Sequence, residues 1–225
     1  LHRRRHSFPT RRSSDLEEAK EYPAILNVWF PGSEAGYAIA DVLFGDVNPS
    51  GKLSATWPQN IGQVPLFYNH KNTGRPLGEG KWFQKFRSNY LDVSNDPLYP
   101  FGYGLSYTQF EYGAMQLSAK QLKGNQTLTV TVPVKNTGMY AGKEVVQLYI
   151  RDEVGSITRP VQELKGFNKI ELAPGETKNV SFEITPQLLK FYNSDLKFDW
   201  ESGDFQIMVG TNSRDVQVAK VNWQK

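Results

Sequence analysis

The side chains that usually carry chemistry are scarce in this 225-residue chain. It has no cysteine, which excludes a thiolate metal site, a Cys nucleophile and a disulfide scaffold. Of its three histidines, His2 and His6 stand in the first sixteen residues, leaving His70 alone in the remainder. One imidazole builds neither a Ser-His-Asp set with spare parts nor a His-rich metal site, and a lone loop histidine is more often structural than a ligand. Carboxylates are plentiful, and a pair of them can run glycoside chemistry. Nothing in their spacing selects a pair. Phe101-Gly-Tyr-Gly-Leu105 has the glycines of a phosphate loop but lacks the strand before, the helix after and the Lys, so it reads as turn geometry. Asn125-Gln-Thr127 and Asn179-Val-Ser181 are glycosylation sequons. No metal and no cofactor are expected.

Charge gives no partner either. The formal net charge is +3, but residues 1–16 carry five Arg and one Asp, and without them it is −1. Residues 6–16 are what a common sequencing-library adapter encodes when translated, eleven residues in unbroken register. The segment therefore reads as an artefact to be set aside rather than as a basic arm, and the case for a nucleic-acid partner goes with it. On that reading the natural chain is interrupted at Glu17, and residues 17–225 are the C-terminal piece of something longer. No run approaches the roughly 20 apolar residues of a membrane span.

The elements that must position any site fall into three stretches. Residues 24–30, Ala-Ile-Leu-Asn-Val-Trp-Phe, form a nearly continuous apolar run that predicts a strand buried on both faces of a parallel sheet. Pro31-Gly32-Ser33 predicts a turn, with Ser33 or Gly32 capping a helix and Glu34 in its first turn. Ala35, Ala38, Ile39, Val42 and Leu43 recur at helical spacing, and Gly45 suits the left-handed C-terminal position. Such a unit cannot fold alone and predicts the end of a larger α/β layer. Up to Tyr107 the pattern is irregular, rich in Pro, Gly and aromatics, with short strands predicted at residues 52–57 and 64–68. Beyond it the period becomes two: Leu128, Val130, Val132 and Val134; Val146, Leu148 and Ile150; Val180, Phe182 and Ile184; Phe205, Ile207 and Val209. About seven strands predict an antiparallel β-sandwich of immunoglobulin-like size, with Pro133 marking an edge strand or a bulge.

Longer motifs carry a resemblance. Trp29-Phe-Pro-Gly-Ser-Glu-Ala-Gly36, Ala40-Asp-Val-Leu-Phe-Gly-Asp-Val-Asn-Pro-Ser-Gly-Lys-Leu53, Tyr68-Asn-His-Lys-Asn-Thr-Gly-Arg-Pro76 and Leu98-Tyr-Pro-Phe-Gly-Tyr-Gly-Leu-Ser-Tyr-Thr108 closely resemble β-glucosidases of glycoside hydrolase family 3. Asn136-Thr-Gly138, Val145-Val-Gln-Leu-Tyr149, Arg159-Pro160, Glu163-Leu-Lys-Gly-Phe167 and Leu172-Ala-Pro-Gly-Glu176 resemble that family's fibronectin type III-like domain. The resemblance implies a mostly β fold: residues 17–60 end an α/β sandwich domain, 61–107 form an aromatic-rich linker, and 108–225 form the fibronectin type III-like sandwich.

It also implies a parent with a (β/α)8-type barrel, a retaining exo-acting enzyme that removes terminal β-linked glucose. Its nucleophilic Asp and acid/base Glu would lie upstream of residue 17, so no catalytic residue is assigned here and the chain alone is expected to be inactive. His70 and Arg75 become the substrate-binding candidates, with an interface clamp as the other reading of Arg75. Trp82 is expected to pack rather than stack on sugar, and Phe101, Tyr103 and Tyr107 to pin the sandwich to the body of the enzyme. β-Glucosides or oligosaccharides are the implied ligands, and the implied location is periplasmic or secreted. A homodimer, a β-xylosidase of the same family and a non-catalytic carbohydrate- or surface-binding module stay open.

Overall fold

The computed structural model describes residues 19–77 and 82–225. The reading of residues 1–16 lies outside them. The chain forms two units: Leu1–Val47, Ala55–Phe67 and Thr73–Pro100 make one, and Asn48–Ser54, Tyr68–Asn72 and Phe101–Lys225 make the other.

The second unit is a two-sheet β-sandwich, as the period-two stretches require. In its smaller sheet, β4 (Leu128–Asn136) pairs antiparallel along its length with β7 (Thr177–Ile184). The opposite edge of β4 is shared by β1 (Phe110–Tyr112) and β2 (Gln116–Leu117). The larger sheet runs β3 (Gln121–Lys123), β11 (Val216–Gln224), β10 (Gly203–Gly210), β5 (Gly142–Asp152), β6 (Glu163–Leu172). Every pairing is antiparallel except β3 with β11, three residues long. A short ribbon, β8 (Phe191–Tyr192) with β9 (Phe198–Asp199), follows one turn of helix at Pro186–Leu189. The strands number more than seven because short pieces pair at the sheet edges and in the separate ribbon.

Alternation places the core as expected. Leu128, Val130, Val132 and Val134 of β4 have no exposed surface, and they meet Val146, Leu148, Ile150, Phe182, Ile184, Phe205, Ile207 and Trp223 in one cluster. A fully buried aliphatic or aromatic side chain contributes roughly 1.5–3 kcal/mol each. Pro133 lies within β4, an interior strand rather than an edge. It sits opposite the gap between β1 and β2, where Gly113 donates to its carbonyl at 2.8 Å and no ladder bond to its nitrogen is needed.

The other face of β5 is also buried, and its cover comes from far earlier in the chain. Tyr68 stacks on Phe101 with ring centroids 4.3 Å apart and meets Tyr149 edge-on at 5.8 Å. Gln147 donates to the carbonyls of Gly102 and Thr211 and accepts from the Tyr149 hydroxyl. Gly102 is required there, because φ is +80° and a Cβ would fall 2.1 Å from Gln147 Oε1. Leu53 exchanges backbone bonds with Gly102 and Tyr103. Asn48 accepts from Ser106 and from the Tyr107 amide and donates to Ala141. Tyr68, Phe101 and Gly102, which fall in the stretch read as linker, thus pack within the sandwich unit.

In the first unit the helix forms at Ala35–Phe44. Gly45 closes it with φ +87°, donating to Val42. Its N-terminal boundary falls at Glu34, whose side chain makes no capping bond, rather than at Ser33 or Gly32. No residue of this helix is buried. Residues 24–30 do not form the predicted strand, and Ile25, Leu26, Val28, Trp29 and Phe30 are exposed. A strand exists through its ladder, and among the described residues these form none. The short strands predicted at 52–57 and 64–68 are likewise absent. Within this unit Trp57 forms one isolated bridge with Tyr99, and their rings meet edge-on at 5.9 Å. Buried Gln63 donates to the carbonyls of Ser94 and Asp96 and accepts from the Gln59 amide.

Candidate functional site

The two substrate-binding candidates stand on one loop of sequence but in different units. His70 belongs to the segment Tyr68–Asn72 of the sandwich unit. Its imidazole is exposed, with Nδ1 3.3 Å from the Lys71 carbonyl, while its backbone is held: the Val161 amide donates to the His70 carbonyl at 2.9 Å. Lys71 forms a β-bridge with Pro160, and Gln162 Nε2 lies 3.4 Å from the Tyr68 carbonyl. A backbone fixed on both sides with an exposed ring at its tip can present the ring's Nε2 edge to a ligand.

Arg75 belongs to the other unit. Its side chain is exposed, and its carbonyl accepts from Ser88 at 2.8 Å, next to a bridge between Pro76 and Ser88. The Thr73 and Ser88 hydroxyls bond at 2.6 Å in the same register. Trp82 is 57% exposed, its ring 6.0 Å from Phe83. The expectation that Trp82 packs away fails within this chain.

Two polar clusters went unnoticed in the sequence. Glu144 is 3% exposed, and both its oxygens are engaged: Lys52 at 3.0 Å, the Tyr112 hydroxyl at 2.9 Å and the Thr211 hydroxyl at 2.7 Å. Burial, then the Glu144 charge, holds the Tyr112 phenol far above its ordinary range. Burial does the same to Tyr149. Glu144 shares its strand face with Val146, Leu148 and Ile150, so an acid in the inward register was the available signal. The second cluster is Asp152, Arg159 and Glu163. Arg159 Nη2 donates to Glu163 at 2.7 Å, its Nε is 3.9 Å from Asp152, and its guanidinium carbon lies 4.0 Å over the Phe191 ring. Burial raises the Asp152 carboxyl, and Arg159 pulls it partly back.

Each of these buried carboxylates is tied to a cation, so they read as ties within the sandwich rather than as an acid/base couple. Among the described residues no group of three or more His, Asp or Glu could hold a metal ion. A cavity of about 380 Å³ on the sandwich is lined by Asn125, Gln187, Lys190, Asp199 and Trp200 among others. It includes neither His70 nor Arg75.

The fold defines a class: one unit is an immunoglobulin-like sandwich of fibronectin type III kind. Residues 8–107 match the glycosyl hydrolase family 3 C-terminal domain, a match that starts inside the segment read as adapter, and residues 144–213 match the fibronectin type III-like domain. A periplasmic β-glucosidase of Salmonella typhimurium is 48% identical over 202 residues, 90% of this chain. A β-xylosidase of Formosa agariphila is 46% identical over 198 residues, 87% of the chain. A β-glucosidase of Listeria innocua, solved with isofagomine, superimposes with a TM-score of 0.88 at 47% identity and covers 93% of the chain. The chain belongs to glycoside hydrolase family 3. It spans 26% of the length of the two curated relatives and 29% of the solved one. Among the described residues no helix is long and apolar enough to cross a membrane.

Proposed function

We propose that these residues serve a retaining, exo-acting glycosidase that releases terminal β-D-glucosyl residues from non-reducing ends, in the periplasm or outside the cell. The observation that carries this is 48% identity over 202 residues to a periplasmic β-glucosidase of which the chain spans a quarter. The nucleophile and the acid/base belong to the part of such an enzyme that this chain does not span, and the chain is a scaffold that offers His70 and Arg75 to the sugar. Arg75 has five N–H donors for a hydroxyl or a carboxylate, and His70 one ring edge. The β-xylosidase relative keeps a second sugar open, since fold does not fix substrate.

The purified 225-residue chain should release no nitrophenol from p-nitrophenyl β-D-glucoside or β-D-xyloside. Turnover of either would place catalytic carboxylates within it. In a full-length enzyme carrying these residues, His70→Ala and Arg75→Ala should raise KM about tenfold each, the worth of one polar contact to a sugar. Unchanged KM in both variants would overturn the substrate role.

A further inference from the structure

We propose that Arg159 is a positioning residue for His70, acting through the stretch that follows it in the chain. The inference rests on the substrate role given above to His70. Residues 160–164 supply every bond that ties the His70 segment to β6 and the turn before it: the Pro160 bridge to Lys71, the Val161 amide on the His70 carbonyl, Gln162 Nε2 on Tyr68, and the Leu164 amide 3.4 Å from the Tyr68 hydroxyl. Arg159 starts that stretch and is anchored on three sides, by Glu163, by Asp152 and by the face of Phe191. Its side chain is 12% exposed, so the anchor sits in a poorly screened setting where a fork of donors and a planar stack fix orientation. Gly155 leaves room for the stem, a Cβ there falling 3.0 Å from Arg159 Cγ. Among the described residues neither Asp152 Oδ2 nor Arg159 Nε has a hydrogen-bond partner, so Asp152 contributes charge at 3.9 Å while Glu163 contributes the bond. The guanidinium thereby fixes where residue 160 begins, and through it where the His70 carbonyl is held.

Amide hydrogen exchange and histidine NMR on the 225-residue chain test this. In Arg159→Met the Val161 amide should exchange about tenfold faster, the effect of losing one charge-assisted bond. The His70 ring signals, assigned with His70→Ala, should shift, while the amides of Ile150 and Ile207 keep their rates. Arg159→Lys, which keeps the charge but not the fork or the stack, should fall between. Glu163→Gln serves should Arg159→Met fail to fold, and should act in the same direction more weakly. An unchanged Val161 rate, or Val161 and the core amides accelerating together, would overturn the positioning role. Failure of the substrate role would show separately, as an unaltered KM in full-length His70→Ala with the exchange result intact.

Discussion

The two units treat the same kind of residue in opposite ways. In the sandwich, Val130, Val132, Val134 and Ile207 have no exposed surface; in the other unit, Phe30 is 81% and Phe44 84% exposed. The difference is one of partners rather than composition. The long sandwich strands find a ladder and a facing sheet, whereas the helix Ala35–Phe44 has no buried residue and much of the apolar stretch before it stands exposed. Apolar residues that read as buried and stand exposed mark where a structure expects more protein.

The largest effect should come from cutting the chain. A fragment of residues 108–225 lacks the cover of Gln147 and Tyr149 and strands Glu144 without Lys52, so it should show no cooperative thermal transition by circular dichroism. A fragment of residues 48–225 should keep one, and loss of that transition would break the contrast between the units. Single substitutions come next. Lys52→Met should cost about 3–5 kcal/mol in urea unfolding, because it leaves a buried carboxylate unpaired. Ile207→Ala should cost about 2–5 kcal/mol. Phe44→Ser, on the exposed side of the comparison, should stay within about 0.5 kcal/mol. Gly102→Ala ranks below the core changes, at roughly 1–3 kcal/mol, through positive φ and the clash with Gln147.

Proton linkage should be smallest. Hydrogen bonds from Lys220, then Gln206, lower the Glu153 pKa, so its stabilisation is full above the ordinary value of 4.5 and fades as pH falls through the folded value. Asp152 runs the other way. Its raised pKa favours the protonated fold, so its contribution is present below 3.8 and is lost as pH rises through the folded value. Glu153→Gln should flatten the acid limb of stability against pH by under about 1 kcal/mol, as suits a half-exposed pair. At the alkaline end, a tyrosine absorbance titration should leave the Tyr112 and Tyr149 phenols un-ionised until the sandwich unfolds.

How much of this was legible in the sequence follows from the range of each interaction. The helix was readable from Ala35 to Gly45, because its bonds and its left-handed terminus are local. Alternation gave β4 and β7 through their own side chains. The strand expected at residues 24–30 failed because pairing needs a partner that spacing cannot reveal. The cover of β5 was invisible for the same reason: Tyr68 and Tyr149 meet across 81 residues of chain, and Gln147 alone reads as an ordinary solvent-facing polar residue. For the candidate site, residue types and the loop were legible, but the ligand assigned to His70 and Arg75 came from the family likeness. What holds the His70 backbone came only from the structure.

The bond between Lys52 and Glu144 has a further consequence during synthesis. The two are 92 residues apart, so at ordinary translation speeds of about 5–20 residues per second, Lys52 leaves the ribosome some 5–20 s before its carboxylate exists. The sandwich therefore cannot close domain by domain from its amino end. Its first segments must wait on the nascent chain, open to chaperones and proteases, until the last strands are delivered to them.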